Sequence, residues 1–497
     1  MAAPQGIWKV ITASSVGTLI EWYDFYIFGS LSTIIAQKFF PAVNPTAALL
    51  STLATFAAGF IVRPFGALFF GRLGDIIGRK YTFLLTLMLM GGSTFLIGCI
   101  PTFASIGYWA PFLVLVLRLL QGLALGGEYG GAATYVAEHS PPGKRGFYTS
   151  WIQITATLGL FLSLGVILIT RRIIGVDDFT NGFGWRIPFL LSIFLVVVSI
   201  IIRLRMKESP LFTKLKTAGK TSSNPLKESF GQKQNFKLVL LALFGATMGQ
   251  GVIWYTSQFY AQHFLLTRCR VEYEQANIIM LVALAIITPF FILFGSLSDK
   301  WGRKNIMLAG MLLGVLFYRP IFQQLYDVAD NSKKPIATEQ VSVLNTSLLT
   351  NGDTLATLAF TKTFSDGSRE TMTIEKNLQQ SAAGEGRKEV ILNETDKWKM
   401  IGLIGIMVLF VTMVYGPIAA FLVELFPTRI RYTSMSLPYH IGNGVFGGLV
   451  PFTATLITTL RGSDHLSGLW YPIIVAAICF VIGMFYLSNK PDHSENE

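Results

Sequence analysis

The sequence has few charged residues and very few cysteines for its length. Only 14 % of its 497 residues are charged and 52 % are hydrophobic, whereas about a quarter of a typical soluble domain is charged. A soluble chain of this size needs more polar surface to face water, so the composition favours a protein whose outer surface faces lipid. Cys99, Cys269 and Cys479 lie far apart and match no metal-binding spacing.

Several motifs of enzymes and ATP-driven pumps are also missing. The sequence contains no G-x-x-x-x-G-K-[ST] loop, so ATP is not expected to drive its activity. It contains no H-E-x-x-H pair and no G-x-S-x-G elbow. We therefore expect no enzyme activity, no metal and no cofactor.

Long apolar stretches predict that the chain crosses a membrane many times. A transmembrane helix needs about 20 apolar residues to span about 30 Å of hydrocarbon. Twelve stretches meet this requirement, which predicts an all-α membrane protein of twelve transmembrane helices. The first stretch is interrupted by Glu21 and Asp24. The predicted helices lie near residues 10–36, 46–72, 80–100, 109–136, 147–170, 187–205, 237–264, 275–298, 304–324, 399–423, 433–460 and 467–488.

The positive charges follow the predicted topology. The formal net charge of +12 could indicate nucleic-acid binding, but Lys and Arg concentrate in short loops on one predicted side of the membrane. This bias places that side and both termini in the cytoplasm. We expect a multi-pass protein of the inner (plasma) membrane that contacts the lipid bilayer, binds no nucleic acid and acts as a monomer.

The sequence contains two motifs that each occur twice. Residues 71–80 read GRLGDIIGRK and residues 295–304 read GSLSDKWGRK, and both fit G-x-L-x-D-x-x-G-R-K. A Glu that precedes an Arg by seven residues occurs in AEHSPPGKRG and again in VELFPTRIRY. The two offsets differ by 62 residues, which indicates an insertion between the motifs of the second copy.

These repeats predict two six-helix halves of the same topology. The first half covers residues 1–205 and the second covers 237–325 together with 397–490, with a cytoplasmic linker at 206–236. The polar segment at 326–396 is the insert, and counting helices from a cytoplasmic N-terminus places it outside the cell. Halves of this kind suit alternating access to a central site.

The insert has its own local pattern. VSVLNTSLL, TLATLAFTKTF and ETMTIEK have the composition of strands, and the turn signals Asn-Gly-Asp and Ser-Asp-Gly lie between them. This pattern favours a small β-rich module over the alternative, an unstructured loop.

Together these motifs resemble the major facilitator superfamily and, within it, the metabolite:proton symporter family. The resemblance also includes RLLQG at 118–122, KESPLF at 207–212, EWYDFYIFG at 21–29, RPFGALFFG at 63–71 and GGEYGGAATYVAE at 126–138. It covers nearly the whole chain except the insert. It implies symport of a small metabolite with protons, since similar proteins carry citrate, 2-oxoglutarate, shikimate, proline or betaine.

Carboxyl groups inside apolar helices are candidates for proton coupling, because an ionisable group at mid-bilayer costs about 2.5–3.5 kcal/mol and usually faces a polar interior. Glu21 and Asp24 are three residues apart, which predicts that they share one helix face. Repulsion and desolvation would favour the protonated form. Glu128 lies among glycines that allow close helix packing. The alternatives are a structural ion pair or a hydrated helix end.

Two arginines inside apolar helices are candidates for binding an anion. The guanidinium group is always charged and binds carboxylate through two parallel hydrogen bonds. Arg63 is a candidate for substrate binding, although Arg-Pro could instead cap a turn. Arg118 is a candidate for substrate binding and, through the family resemblance, for proton coupling.

Two further helices carry polar and aromatic groups that could line a substrate site. The seventh has Trp254, Tyr255 and Gln258, which could contact a carboxylate or a quaternary ammonium group. The eleventh has His440 and Asn443, and an intramembrane histidine can relay protons. Core packing of the aromatics and a structural role for the histidine are the alternatives.

The repeated loop motifs predict a cytoplasmic gate that forms in one conformation and breaks in another. Asp and Arg of each motif could pair across the two halves or with helix termini. Topology-setting charge is the alternative. The predicted gate residues are Asp75, Arg79, Asp299, Arg303, Glu138, Arg145, Glu424 and Arg431.

The function most consistent with the sequence is proton-coupled symport of a small organic acid or zwitterion by alternating access. The fifth predicted helix lacks the Gly-Pro-rich motif typical of drug antiporters in the superfamily. The alternative is a membrane sensor that does not transport and uses the insert as a binding module.

Overall fold

The apolar stretches of the sequence fold into helices, and the polar insert folds into a small sheet. Twelve helical segments within the described residues coincide with the twelve predicted stretches. The computed structural model describes residues 7–40, 45–77, 79–127, 129–141, 143–204, 225–348, 354–377, 386–426, 430–462 and 464–488.

Length and composition allow most of these segments to cross a bilayer. In the described part of the chain, nine helices are long and apolar enough to do so. Two more are shorter and apolar, at Leu85–Cys99 and Gly184–Val198. The remaining segment is the first, whose apolar run contains Glu21 and Asp24.

We number the twelve segments α1 to α12. Their bounds are α1, Ile7–Ser30; α2, Pro45–Ile61 and Arg63–Ile77; α3, Arg79–Cys99; α4, Trp109–Gly126 and Tyr129–His139; α5, Arg145–Ile174; α6, Ile187–Leu204; α7, Lys233–Ala242, Met248–Tyr255 and Ala261–Thr267; α8, Tyr273–Ile287 and Phe290–Trp301; α9, Arg303–Ala329; α10, Glu394–Tyr415 and Ile418–Leu425; α11, Arg431–His440 and Val450–Arg461; α12, Trp470–Tyr486. Shorter helices lie at Ser32–Phe39, Phe103–Ile106, Val176–Thr180 and Pro225–Gly231, and 3₁₀ turns at Gly184–Arg186 and Ser467–Leu469.

Two of the helices contain π-helical turns. Helix α7 has them at Leu243–Thr247 and Thr256–Tyr260, and α11 has one at Ile441–Gly447. Such turns are rare and occur frequently at functional sites. Both helices therefore have irregular backbone at the depth of the predicted substrate residues.

The surface and the interior of the bundle differ as expected for a protein in lipid. Phe65, Phe69 and Phe194 point outward and are 63 %, 63 % and 67 % exposed. Exposing such large apolar side chains is unfavourable in water but not in lipid. Inside, a Cβ at Gly122 would overlap the carbonyl of Gly59 on α2. This close approach packs α4 directly on the backbone of α2.

We call α1–α6 the N-half and α7–α12 the C-half. The two are joined along their length, since α5 packs along α8 and α2 packs against α11. Helix α5 begins where α8 ends, so the two run antiparallel. We call the end of the bundle at which α5 begins the motif end, and the opposite end, which carries the insert, the sheet end.

The insert forms a four-stranded antiparallel sheet in the order β1-β2-β3-β4. Its first three strands contain the predicted stretches, and the turn between β2 and β3 has Gly367 at φ 83°. The predicted β-rich module is thus confirmed. The fourth strand was not predicted, because five residues show too little alternation. The strands are β1, Ile336–Leu348; β2, Thr354–Phe364; β3, Arg369–Asn377; and β4, Arg387–Ile391.

Strand β4 docks on the loop between α7 and α8. The amide of Val390 donates to the carbonyl of Arg270, and the amide of Glu272 donates to the carbonyl of Val390, both at 2.8 Å. The side chain of Gln275 donates to the carbonyl of Leu392 at 2.9 Å and accepts from its amide at 2.7 Å. The sheet is therefore fixed to the C-half next to the first turn of α8.

A charged cluster holds the base of the sheet. Lys334 Nζ lies 2.7 Å from Asp366 and 2.9 Å from Asp396. Burial alone would raise the pKa of Asp366, but hydrogen bonds from Lys334 and Ser368 outweigh it and hold that pKa below its ordinary value. The stabilisation is therefore present at neutral pH and is lost only as the pH falls through the lowered pKa of the folded state.

We predict that Gln275→Ala loosens the sheet without unfolding the bundle. The change removes two hydrogen bonds to Leu392, each with a net contribution of about 0.5–1.5 kcal/mol. Amide hydrogen exchange at residues 390–392 should accelerate about tenfold, as measured by mass spectrometry. The control is Gln323→Ala, which removes an exposed hydrogen bond to Asp327 on α9. Unchanged exchange in the Gln275 variant would show that this contact does not hold the sheet.

Candidate functional site

Arg63 lies at the centre of the bundle among aromatic rings. It opens the second part of α2 and is fully buried. Its guanidinium carbon lies 5.2 Å from the ring centre of Trp22, 4.6 Å from that of Phe25 and 4.0 Å from that of Phe60. These distances are within the range of cation–π attraction, so three rings partly compensate the lost hydration of the charge.

The same guanidinium group lacks an anionic partner. Among the described residues, none of its three nitrogens makes a hydrogen bond of standard geometry, although the Tyr255 hydroxyl lies close to it. Tyrosine side chains surround it closely enough to interact with its charge. A buried charge without a counterion is costly, so this position favours the arrival of an anion. The tyrosines are Tyr26, Tyr255, Tyr415 and Tyr439.

Arg118 on α4 has a different environment. It is fully buried and donates to Gln121 at 2.8 Å and to the carbonyls of Phe25 and Phe56 at 3.3 and 3.4 Å. Gln121 in turn donates to Thr94 at 2.7 Å. Arg118 thus links α4 to α1 and α2, and this arrangement favours a role in holding the N-half together over direct contact with substrate.

A cavity with a volume of about 20 Å³ lies beside Arg63. It brings together three of the predicted site residues, Glu21, Arg63 and His440. Among the described residues, neither ring nitrogen of His440 makes a hydrogen bond of standard geometry, although the backbone of Gly126 lies close to the ring. The cavity thus combines acidic, basic and imidazole groups in one place. It is lined by Thr18, Glu21, Trp22, Arg63, Leu125, Tyr129, Tyr439 and His440.

Asp24, three residues after Glu21 on α1, is not among the residues that line this cavity. Its Oδ2 lies 3.2 Å from the position that a Cβ on Gly91 would occupy, and Val196 lies at the same point. It therefore faces α3 and α6, inside the N-half. The carboxyl group is fully buried, and neither oxygen has a hydrogen-bond partner in the described part of the chain.

The predicted residues of α7 lie next to the Arg63 cluster. Trp254, Tyr255 and Gln258 are all buried. Trp254 stacks on Tyr26 of α1 with ring centres 5.3 Å apart. Gln258 lies within a π-helical turn, and neither atom of its amide has a partner among the described residues. Its amide is therefore available to a ligand.

Asn443 on α11 is already engaged. Its side chain donates to Gln250 at 2.8 Å and accepts from Gln250 at 3.0 Å, which forms a reciprocal amide pair between α11 and α7. It also donates to the carbonyl of Tyr439 at 3.2 Å. These contacts favour a structural role within the C-half over the predicted contact with substrate.

The sequence analysis missed the tyrosines that connect the halves. Tyr129 of α4 and Tyr439 of α11 stack with ring centres 3.5 Å apart. Tyr439 also shares a hydrogen bond of 2.9 Å with Tyr415. Tyr26 and Tyr129 lie inside motifs that carry the family resemblance, and this was the available signal. Tyr415 ends an apolar run and Tyr439 lies in a polar segment, and neither gave a distinct pattern.

At the motif end, a carboxylate of the C-half caps a helix of the N-half. Asp299 accepts hydrogen bonds from the backbone amides of Gly146 and Phe147, both at 2.9 Å. Arg303 lies 2.6 Å from Asp299 and 3.0 Å from Glu424. Negative charge is favourable at a helix N-terminus, so this contact stabilises closure of the motif end. We call these five residues the motif-end latch.

The other predicted gate residues are less informative. Arg145 is half-buried, and its Nε has no partner among the described residues. Arg431 donates to the carbonyl of Phe426 at 3.1 Å within the C-half. Glu128, together with the side chains of Asp75, Arg79 and Glu138, lies outside the described residues.

The sheet end is also closed by charges that the sequence analysis had not singled out. Arg171 of α5 lies 3.3 Å from Glu272, and Arg172 donates to Glu274 at 2.7 Å. Glu272 also caps the first turn of α8. We call these the sheet-end pairs. Helices α5 and α8 are thus joined at both ends.

The described residues contain no group of His, Cys, Asp or Glu side chains placed to hold a metal ion. Cys99 is exposed, whereas Cys269 and Cys479 are buried.

Comparison with known proteins identifies the family. Residues 9–223 match the family model described as "Sugar (and other) transporter". The chain is 30 % identical over 478 residues to the alpha-ketoglutarate permease of Escherichia coli K12, covering 96 % of this chain and 93 % of that protein. It is also 34 % identical over 327 residues to the proline/betaine transporter of the same strain, covering 63 % and 64 % of the two chains.

The chain belongs to the major facilitator superfamily. Its fold matches a solved structure of a superfamily proton:xylose symporter with a TM-score of 0.69, at 15 % identity and with 99 % and 98 % of the two chains covered. The predicted resemblance to metabolite transporters of this superfamily is confirmed by the relatives. The protein is a membrane transporter and not an enzyme, which removes the basis for the sensor alternative.

We predict that Asp299→Asn opens the motif end. The change removes the ion pair with Arg303 and weakens two charge-assisted hydrogen bonds to α5, and such bonds contribute about 1.5–3 kcal/mol each. The population of molecules open at the motif end should therefore rise about tenfold or more. The measurement is the distance between spin labels at Lys144→Cys and Lys300→Cys, in a background that lacks Cys99.

The matched control for this experiment is Asp464→Asn, which removes an ion pair with Arg319 inside the C-half. It should leave the distance distribution unchanged. If Asp299→Asn gave the same distribution as the parent protein, the motif-end latch would not set the conformational equilibrium.

Proposed function

We propose that this transporter is a proton-coupled symporter that imports a small organic acid or zwitterion by alternating access. The observation that carries the proposal is the fully buried Arg63, which has no anionic partner among the described residues. The names of the relatives support a substrate that carries a carboxylate, since 2-oxoglutarate, proline and betaine all do.

In this proposal the substrate carboxylate binds Arg63. A carboxylate matches the guanidinium fork through two parallel hydrogen bonds, and the cavity beside Arg63 opens toward Glu21 and His440. The aromatic rings and the amide of Gln258 then contact the rest of the substrate. The same rings accept an ammonium or quaternary ammonium group by cation–π attraction, which fits a zwitterion as well as an acid.

The proton binds Asp24. This carboxyl group is buried without a partner among the described residues, so its charged form would be costly in the closed bundle. We infer that the halves rock readily when Asp24 is protonated and the Arg63 cluster is occupied, because the closed bundle then holds little uncompensated charge. Glu21 and Glu128 are further candidates for the proton path.

The motif-end latch and the sheet-end pairs supply the two closures that alternating access requires. Positive charge concentrates in the loops at the motif end, so we propose that this end and both termini face the cytoplasm. The sheet then lies outside the cell, and the protein functions as a monomer in the inner membrane. Breaking one set of contacts while the other stays closed exposes the central cavity to one side at a time.

We predict that Arg63→Gln abolishes substrate binding and transport. Loss of two charge-assisted hydrogen bonds should weaken binding about a hundredfold or more, whereas Arg63→Lys keeps the charge and should retain part of it. The measurement is uptake of radiolabelled 2-oxoglutarate, citrate, shikimate, proline and glycine betaine into proteoliposomes with an imposed proton gradient.

Arg387→Gln, at an exposed position on β4, is the matched control and should transport normally. Wild-type uptake by Arg63→Gln would exclude Arg63 from substrate binding. If an imposed gradient drove accumulation of none of the five compounds by the parent protein, the proposed symport of this substrate class would be wrong.

We predict that Asp24→Asn separates substrate movement from proton coupling. Asparagine is neutral and close in size, so the bundle should still close, but the site can no longer bind or release a proton. Accumulation against a gradient should be lost while exchange of internal for external substrate continues. The control is Asp177→Asn at an exposed position after α5. Full accumulation by Asp24→Asn would remove this residue from the mechanism.

A further inference from the structure

A second cavity lies on the sheet-end side of the Arg63 cluster. It has a volume of about 20 Å³ and sits between α1, α2, α7 and α11. The sheet-end pairs and a hydrogen bond of 3.4 Å from the Tyr273 hydroxyl to the carbonyl of Ser30 lie close to it. We call it the sheet-end cavity. It is lined by Gly29, Ser30, Ser32, Leu53, Phe56, Phe259, Gln262, His263, Leu266 and Pro451.

The polar groups of this cavity are buried, and at least one of them, the Ser30 hydroxyl, is available to hydrogen-bond a ligand. Ser30 is 2 % exposed, and its hydroxyl has no hydrogen-bond partner among the described residues. His263 lies beside it and is 8 % exposed. The side-chain amide of Gln262 donates to Asn277 at 2.7 Å, and this hydrogen bond fixes the orientation of the Gln262 side-chain oxygen. A buried hydroxyl without a partner is uncommon, and here a bound polar molecule would satisfy it.

Two phenyl rings separate the sheet-end cavity from the central cluster. Phe56 and Phe259 both line the cavity, and their ring centres are 5.3 Å apart. On the other side, Phe259 packs against Tyr26 at 5.1 Å and Tyr255 at 5.7 Å. Both tyrosines surround Arg63. Two layers of rings, the phenyl pair and these tyrosines, therefore lie between the sheet-end cavity and Arg63.

The two phenyl rings pack tightly against α1, and the backbone of α7 that carries Phe259 is irregular. A Cβ at Gly29 would lie 2.6 Å from the ring of Phe259 and 2.9 Å from the ring of Phe56. Glycine is thus required for both rings to close over α1. Phe259 belongs to the π-helical turn Thr256–Tyr260, a backbone form that is rare and occurs frequently at functional sites. A change in the backbone of this turn would move Phe259 and open the phenyl pair toward the tyrosines around Arg63.

We propose that the sheet-end cavity is a second binding site, which the transported carboxylate or zwitterion occupies before it passes Phe56 and Phe259 to reach Arg63. This inference rests on the proposed function and adds a site to it. The substrate carboxylate accepts hydrogen bonds from Ser30 and His263, and the apolar or quaternary ammonium part lies against the two phenyl rings. Binding here needs no guanidinium group and should be weaker than at Arg63.

The test is the binding stoichiometry of the full-length chain in lipid nanodiscs, with radiolabelled 2-oxoglutarate, proline and glycine betaine as probes. The parent protein should bind two molecules per chain of a probe that it accumulates. Leu266→Trp fills the sheet-end cavity and should reduce this to one, and Arg63→Gln should reduce it to one by removing the central site. Ser30→Ala should weaken the second binding event about tenfold, since it removes a hydrogen bond to a charged group.

The matched control is Leu240→Trp, which places the same side chain on a partly exposed position of α7 and should leave two molecules bound. One molecule bound by a parent protein with normal accumulation overturns the second site and leaves the proposed function standing. Two molecules bound by Leu266→Trp also overturn it. If the parent protein neither binds nor accumulates any of the probes, the proposed function fails together with this inference.

Discussion

The arrangement of the bundle centre depends on one fixed positive charge that is kept out of water. A guanidinium group cannot release its proton at any physiological pH, so Arg63 is charged in every conformation. Ring faces and phenol groups lie closest around it, with Glu21 and His440 across the adjoining cavity, and each cation–π contact contributes about 0.5–2 kcal/mol. That is less than the cost of removing the charge from water. The aromatic cluster therefore offsets only part of the cost of burying the charge in the empty closed state. A bound carboxylate offsets the rest.

Placing the arginine and the candidate proton carrier in different parts of the N-half has a chemical consequence. Asp24 packs between α1, α3 and α6, whereas Arg63 faces the C-half. If the two groups touched, they would form an ion pair, and neither substrate nor proton would be needed to neutralise them. Their separation keeps both charges available. Coupling then acts through the common requirement that a closed bundle holds little uncompensated charge.

Much of the fold could be predicted from the sequence, because a helix in lipid must satisfy all of its own backbone hydrogen bonds. Each crossing therefore leaves a long apolar run, and all twelve were visible. The breaks within helices were not. The π-helical turns of α7 and α11 lie where tyrosine and asparagine side chains pack between the helices, and no local pattern encodes such contacts. Strand β4, which pairs with β3, was missed because its five residues show too little alternation.

Site residues could be predicted where their type is rare in an apolar helix. They could not be predicted where the direction of the side chain decides what it contacts. Arg63, Glu21 and His440 stood out because charged and imidazole groups are scarce in apolar helices, and they do line one cavity. A spacing of three residues could not tell which neighbours Asp24 would meet. Asn443 looked like a ligand group until its pairing with Gln250 was known. Arg171 and Arg172 resembled ordinary loop charges, and their role depends on glutamates 100 residues later.

The attachment of the sheet to the loop before α8 makes the insert a rigid extension of one half. Four hydrogen bonds and a lysine–carboxylate cluster connect it to α8, α9 and α10. When the halves rotate against each other, the sheet must travel with the C-half as a lever outside the bilayer. An antibody fragment bound to β1 alone would act as a marker of that rotation. One that bridged the sheet and the end of α5 would immobilise the transporter without touching its substrate path.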